Sequence, residues 1–412
     1  MLIHQLKLSG FLSFGPKGID LPMEPLNVLI GPNGSGKSNF LEAMALLKSA
    51  PLDISKPFRR DGIREWLWKG PETPDTIKIE TLVEYPQTGG LRHLLILADR
   101  GSRPIVVDEQ IEPSEKRSDE KEALSYYRPP QNKQTAWLIE QSRSRAKQSS
   151  KNLRSGTSTT SQVIGRQSEG AVVEFADDFQ PEESLLSCAA VMNYPALWHL
   201  KKEFKRIRLY REWSFGPSAA LRQSQSAHDH TDFLTEGGDN LALVLSQFQG
   251  ENKRQLVVAL QEIFDGIVDF TCSVTSGSVS LFLEEENGKQ IPASRLSDGT
   301  LRYLCLLAIL LHPEPPPLIA IEEPELGLHP DVVAKVAELF VDASQRTQIV
   351  VTTHSRMLVD ALSEHPSSVI VCEKENGESQ FARLDGTRLK AWLDKYSLGE
   401  LWRSGELGGN RW

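Results

Sequence analysis

The chain has 412 residues and a mass of 46.0 kDa, long for one ordinary compact domain, and its length alone suggests two or three units. Lys+Arg 46 against Asp+Glu 55 leaves a net charge of -9, which excludes nucleic-acid binding through bulk positive charge and confines any such contact to local patches. Hydrophobic content of 39% with 25% charged residues excludes wholesale disorder.

Residues 2–8 alternate apolar with polar and read as a strand, and 26–30 form an apolar strand that stops at Gly31. A helix is predicted from Ser38, with Phe40, Leu41, Met44 and Leu47 at helical spacing. Residues 77–85 and 91–98 read as strands joined by a Thr-Gly-Gly turn. From about 101 to 180 Ser, Gln, Lys, Arg and Thr dominate, and 150–162 approaches low complexity, so an inserted, partly flexible segment is expected. Helical stretches follow near 181–205 and 231–266, then a hairpin over 277–292 turning at Asn287-Gly288. Next come helix 300–312, strand 317–322, helix 331–345, strand 348–353, helix 355–364 and strand 368–372, an alternation that predicts a parallel, doubly wound α/β sheet.

The cysteines, Cys188, Cys272, Cys305 and Cys372, lie far apart with no CxxC pair, which removes zinc-ribbon and thioredoxin-type chemistry and suits idle thiols in a reducing compartment. The N-terminus lacks a basic region ahead of an apolar core, and the apolar run from Leu301 to Leu311 is broken by Arg302 and too short for a bilayer. A cytoplasmic protein without a membrane partner is expected.

Gly31-Pro32-Asn33-Gly34-Ser35-Gly36-Lys37-Ser38 is a full GxxxxGK[ST] phosphate-binding loop between an apolar strand and a helix. Backbone N–H groups from Asn33 to Asn39 would close around phosphate oxygens at the positive end of that helix. Lys37 would reach the β- and γ-phosphates of ATP, and the Ser38 hydroxyl would ligate Mg²⁺. The strand 317–322 runs into Glu322, Glu323 and Glu325, the way phosphoryl-transfer proteins set a carboxylate beside the metal. Glu322 would hold Mg²⁺ through water, Glu323 would accept a proton from the attacking water or orient it, and all three acids are candidates to meet magnesium. Leu296-Ser297-Asp298-Gly299-Thr300 precedes the apolar helix; Ser297 is either its N-cap or, with the Gly299 N–H, an anion site. His354 ends the strand after the acids, at the carboxyl edge where ligands gather in such sheets.

The order phosphate loop, LSDGT, IEEPELGLHP, TTHS resembles the ATP-binding-cassette (ABC) ATPases, and within them the RecF/SMC/OLD-like branch. Phe11-Leu12-Ser13-Phe14, Gly237-Gly238-Asp239-Asn240-Leu241 and Leu398-Gly399-Glu400-Leu401-Trp402 extend the resemblance to nearly everything except 101–180. It implies an ABC-type P-loop α/β fold with an antiparallel β subdomain and an inserted helical lateral subdomain. Expected boundaries are 1–100 and 231–412 for the two parts of the ATPase domain and 101–230 for the insert. It further implies Glu323 as catalytic glutamate, His354 as switch histidine, and Ser297 to Thr300 as a signature offered to ATP in the second copy of a head-to-tail dimer. Three features depart from the pattern. Position 322 is Glu where Asp is usual, Asp298 and Thr300 replace residues of LSGGQ, and Gln87 is only a candidate for the Q-loop glutamine.

The stretch between Lys37 and Ser297 shows no sustained heptad pattern, which argues against a long SMC-type arm. The residues after His354 show no Glu…Asp-x-Asp arrangement for a TOPRIM nuclease. Residues 131–170 and 201–224 each carry seven Lys or Arg against two acids, read either as solvated faces, as a DNA or RNA contact, or as a site for an acidic protein. The expectation is an ATPase that forms a homodimer or higher homo-oligomer. It would be a DNA-linked component of repair or phage defence that controls a separate effector such as a nuclease or toxin. The alternative is an ATP-gated scaffold that sequesters an effector without touching nucleic acid.

Overall fold

Strands that are apolar throughout and strands that alternate sort into different sheets of the chain, whose computed structural model describes residues 1–71, 74–114, 125–128, 162–167, 170–174, 182–188, 194–228 and 232–409. The central sheet runs in the order β10 (Arg208–Tyr210), β15 (Leu318–Glu322), β16 (Gln348–Thr352), β3 (Leu26–Ile30), β17 (Val369–Glu375), β18 (Glu378–Arg383). All pairs are parallel except β17 with β18. Every residue of β3 and β16 is buried, as expected for a parallel sheet covered on both faces. Alternate residues feed separate cores: Val28, Ile30, Ile319, Ile321, Ile349 and Val351 into one, Leu29, Leu318, Ala320 and Val350 into the other. Helices α5 (Asp298–Leu310), α6 (Pro330–Ser344) and α7 (Arg356–Asp360) close the first face. Helices α1 (Lys37–Ser49) and α2 (Pro195–Lys205) close the second. The doubly wound α/β sheet is present as predicted.

A second, mostly antiparallel sheet has eight strands, of which the first are β2 (Ile19–Pro22), β1 (Ile3–Ser9), β4 (Thr76–Val83), β5 (Leu91–Arg100) and β6 (Arg103–Pro113). It continues through the backbones of β7 (Ser125–Arg128), β9 (Gly170–Glu174) and β8 (Gln162–Gln167). β4 alternates buried with half-buried residues, so a single apolar face meets the core.

The expected insert over 101–230 differs at both edges. β6 pairs with β5 along its length, turning through Gly101 (φ 64°) and Ser102 (φ 68°), the paired positive φ of a tight hairpin. At the far edge α2 packs into the core and β10 joins the central sheet beside β15. Burial of Asp108 and Glu109 breaks the apolar pattern of β6 and gives the segment a loop-like composition. Glu109 accepts from His93 Nε2 at 2.9 Å, Ser184 Oγ at 2.8 Å and Leu185 N at 2.5 Å, so one buried carboxylate fastens residues 184–187 to the sheet. Most of the low-complexity stretch, including 150–161, lies outside the described residues.

Residues 231–266, read as one helical stretch, hold two short helices, α3 (Leu241–Ser246) and α4 (Gly250–Gln261). The hairpin over 277–292 is present as β13 (Ser278–Glu285) with β14 (Gln290–Pro292), and it belongs to a small sheet with β11 (Gln225–Ser226) and β12 (Ile267–Thr275). Two further helices, α8 (Gly386–Leu393) and α9 (Leu398–Ser404), follow the last strand, α9 starting with a capping box between Ser397 and Glu400. Asp360 of α7 accepts the Gly399 N–H at 2.7 Å, so the LGELW segment serves docking of α9. Among the described residues no helix is long and apolar enough to cross a membrane.

Candidate functional site

The turn from β3 into α1 holds its concave shape through left-handed glycines. Gly36 (φ 102°) has no room for a side chain against Ser379 and Ser13, whereas a Cβ on Gly34 (φ 78°) would meet nothing, so the hollow above it is open. Ser13 Oγ receives Asn39 Nδ2 at 2.8 Å and Ser379 Oγ at 2.7 Å. Asn39 therefore braces the loop from below, and the FLSF segment is its support: Phe11 and Phe14 are fully buried. Asn33 and Ser38 are exposed on the loop, and Ser35 is buried. Lys37 Nζ folds back onto the Gly31 carbonyl at 2.7 Å and the Pro32 carbonyl at 3.1 Å. Burial holds its ammonium below the ordinary 10.5, opposed by Cys372 and by Glu323, Glu322 and Glu325.

The acids arrive at the same edge. Glu322 Oε1 accepts the Ser38 hydroxyl, and Glu322 Oε2 accepts Arg211 Nε at 3.0 Å. Arg211 also donates from Nη1 to Glu42 Oε1 at 2.7 Å, tying the end of β10 to both the acid strand and α1. Glu323 has a left-handed backbone (φ 46°), a strained conformation of a kind that concentrates at functional sites, and its N–H donates to the Thr352 carbonyl at 2.9 Å. That turn sets Glu323 Oε1 at 3.5 Å from His354 Nε2. Glu325 departs from the expectation that it meets magnesium. Its Oε1 is taken by Thr353 Oγ1 at 2.6 Å, His354 N at 2.9 Å and Ser355 N at 3.1 Å, so it shapes the loop carrying the histidine.

Burial and the Lys37 charge hold His354 below its ordinary 6.5, with Glu323 and Glu325 pulling the other way. A histidine depressed in this way contributes stability that is complete above 6.5 and is lost as pH falls below it. An NMR titration should place its midpoint under 6.5, moving upward in Lys37→Met; a midpoint above 6.5 would contradict the packing.

Ser297 is the N-cap of α5: its hydroxyl accepts Thr300 N at 3.0 Å and lies 2.7 Å from Thr300 Oγ1. Gly299 sits against the turn after the acids, where a Cβ would come within 2.8 Å of the Gly327 carbonyl. Ser297 is exposed, and its partners lie on its own helix rather than on the phosphate loop. The structure thus gathers Lys37, Ser38, Glu322, Glu323 and His354 and leaves Ser297 and Gly299 apart from them.

Gln87 stands at the wrong end of the sheet. Glu84 N bonds the Leu2 carbonyl at 2.8 Å, and Ile3 N bonds Gln348 Oε1 at 2.8 Å, which puts this turn at the amino ends of the parallel strands. On the side away from β16, β15 is flanked by β10, and Arg211 after that strand is what reaches Glu322. The cluster over 201–224 is also partly turned inward. Lys201 donates to the Ser187 carbonyl at 3.3 Å and the Cys188 carbonyl at 3.2 Å, Arg211 is held by two acids, and Arg222 is buried. Of the cluster over 131–170, residues 131–161 and 168–169 lie outside the described residues.

The loop fits a triphosphate: open space lies above Gly34, Lys37 is close by, and Ser35 Oγ is buried without a hydrogen-bond partner among the described residues. Among the described residues no group of three His, Cys, Asp or Glu side chains converges as a metal cage. Ser38 and Glu322 supply two oxygens, which suits Mg²⁺, an ion that takes its other ligands from phosphates and water.

The fold is that of an SMC-type head domain, and among the described residues there is no long coiled coil. The chain is similar to the Smc head bound to the C-winged helix domain of ScpA, with TM-score 0.56 and 12% identity over 94% of this chain and 99% of that one. It is likewise similar to a Pyrococcus furiosus Smc head with an extended coiled coil bound to the C-terminal domain of ScpA, with TM-score 0.54 and 12% identity over 96% and 99%. A curated relative, the chromosome partition protein Smc of Synechococcus sp. (strain ATCC 27144), is 42% identical over 82 residues, which is 20% of this chain and only 7% of that protein. Residues 26–360 match the family AAA_21, described as "AAA domain, putative AbiEii toxin, Type IV TA system", and the chain belongs to that family.

Proposed function

We propose that two copies of this chain hydrolyse ATP at composite sites, each built from the phosphate loop, acids and histidine of one copy and the signature of the other. The observation that carries this reading is the half-site. Ser38, Glu322, Glu323 and His354 meet at the carboxyl ends of β3, β15 and β16, while exposed Ser297 and half-buried Gly299 open a separate helix.

Backbone N–H groups of residues 33–39 and Lys37 hold the phosphates and balance the charge that develops on them. Ser38 and Glu322 would hold Mg²⁺, which supplies charge neutralisation when bound. Glu323 takes the proton from the water that attacks the γ-phosphate, and neutral His354 beside it holds that carboxylate in place and senses the γ-phosphate. The second copy's signature adds its Ser297 hydroxyl and Gly299 N–H, so nucleotide favours the assembled state.

Ser297→Arg should bind ATP as the unaltered chain does yet stay monomeric with ATP and Mg²⁺ in analytical ultracentrifugation. Dimers of that variant would refute the shared site.

We further propose that this ATP-dependent state is read by a separate effector protein, by way of sequestration and release. The inward turn of Lys201, Arg211 and Arg222 favours this over direct DNA contact through 201–224. ATP turnover with and without duplex DNA separates the readings. Stimulation that disappears when Lys202, Lys205 and Arg208 are neutralised would restore the DNA-linked one.

A further inference from the structure

The signature of this chain carries a negative charge where its proposed task is to face a triphosphate. Asp298 lies between Ser297 and Gly299 in the first turn of α5, and its side chain is 64% exposed. An uncompensated carboxylate there would oppose a polyanion, because like charges brought together across an interface weaken binding strongly.

A buried side chain bonds that carboxylate directly, and Arg302, one turn further along α5, adds a weaker attraction. Arg222, at the end of the 3₁₀ turn Ala220–Arg222, has a side chain only 7% exposed and reaches the signature from behind. Its Nη2 donates to Asp298 Oδ1. Its Nη1 donates to the Leu296 carbonyl at 2.6 Å, with the Ala293 and Ser294 carbonyls at 3.4 and 3.5 Å, and its Nε donates to the Phe215 carbonyl at 2.8 Å. One guanidinium thus grips the peptide just before Ser297 and the carboxylate just after it, and it stays charged at any working pH. Lysine, with a point charge in place of a planar fork, would not satisfy this set of acceptors.

We infer that Arg222 is a positioning residue for the signature: it cancels the Asp298 charge and fixes the Leu296 peptide, so that Ser297 and Gly299 face the second copy's triphosphate on a neutral surface. The inference rests on the shared-site reading of the preceding subsection. Arg222 touches no nucleotide; it acts through the loop that does.

The test measures the midpoint concentration of self-association by ultracentrifugation, with Mg²⁺ and a non-hydrolysable ATP analogue, at low and high salt. Arg222→Met should weaken assembly by about tenfold or more at low salt. The double variant Arg222→Met/Asp298→Asn should recover most of that loss, and the deficit of the single variant should shrink as salt screens the charge. Equal impairment of single and double variants would mean that Arg222 merely packs, and would overturn the inference, as would wild-type assembly of Arg222→Met.

Asp298→Asn alone keeps the arginine and its carbonyl contacts, so it reads the charge effect even if Arg222→Met fails to fold. It leaves a net positive charge opposite the triphosphate and should tighten assembly about threefold or more at low salt, a gain that vanishes at high salt. Weaker or unchanged assembly of Asp298→Asn at low salt would also overturn the inference. Absence of analogue-dependent assembly in the unaltered chain would sink the shared-site reading itself, and this inference with it.

Discussion

Glu323→Gln should hydrolyse ATP on the order of 10²–10⁴ times more slowly than the unaltered chain, the usual contribution of a positioned general base, while it binds nucleotide normally and accumulates dimers. The amide has the size of the carboxylate, and the turn that aims it depends on the backbone bond from Glu323 N to the Thr352 carbonyl at 2.9 Å, so position is kept and proton acceptance is lost. The neighbouring acid cannot substitute. Glu322 has one oxygen on Ser38 and the other on Arg211, whereas Glu323 faces the His354 ring at 3.5 Å. Single-turnover phosphate release reads the chemistry, titration with a fluorescent ATP analogue reads binding, and ultracentrifugation reads assembly. Hydrolysis at the unaltered rate would remove Glu323 from the mechanism.

The second large effect concerns stability. Glu109→Ala should cost about 3–5 kcal/mol, since each buried donor left without its acceptor costs about 1–3 kcal/mol. Glu109 and His93 have side chains 0% and 1% exposed, and the same carboxylate serves Ser184 Oγ and Leu185 N. Alanine would strand three donors away from water, a large fraction of the 5–15 kcal/mol typical of a folded domain. A lowered urea midpoint, with faster amide exchange in β5, β6 and residues 184–187, is the expected signature. The double variant His93→Phe/Glu109→Leu should regain only part of the loss, because it removes the His93 donor but leaves Ser184 Oγ and Leu185 N without the carboxylate. A midpoint unchanged in Glu109→Ala would show that the network does not hold this region.

What was legible in the sequence was what is contiguous. The phosphate loop, the acid-ended strand and the strand ending at His354 each carry their signal within a few neighbouring residues, and the buried parallel strands read as plain apolar runs. Arg211 was not legible, because its partner Glu322 is 111 positions away and an arginine inside a basic stretch looks like any other. Arg222 was hidden for the same reason, 76 positions from Asp298. β6 was masked by burial of Asp108 and Glu109, which made a core strand resemble a polar loop. β10 has three residues, too few for any period to show. The place of Glu325 is not legible because proximity to two acids suggests a shared metal, whereas the fold turns it toward the backbone of the next loop.

The middle strand of the central sheet comes from residues 26–30, yet both of its neighbours, β16 and β17, come from residues 348–375. Asn27 Nδ2 reaches the Ile349 carbonyl at 3.1 Å across that whole distance. During synthesis, β1, β2 and β4 to β6 can pair as they leave the ribosome, whereas β3 waits for strands translated near the end of these residues. The frame around the phosphate loop therefore forms late, and a chain broken off before residue 348 would expose β3 as an unpaired apolar edge, open to chaperones and proteases.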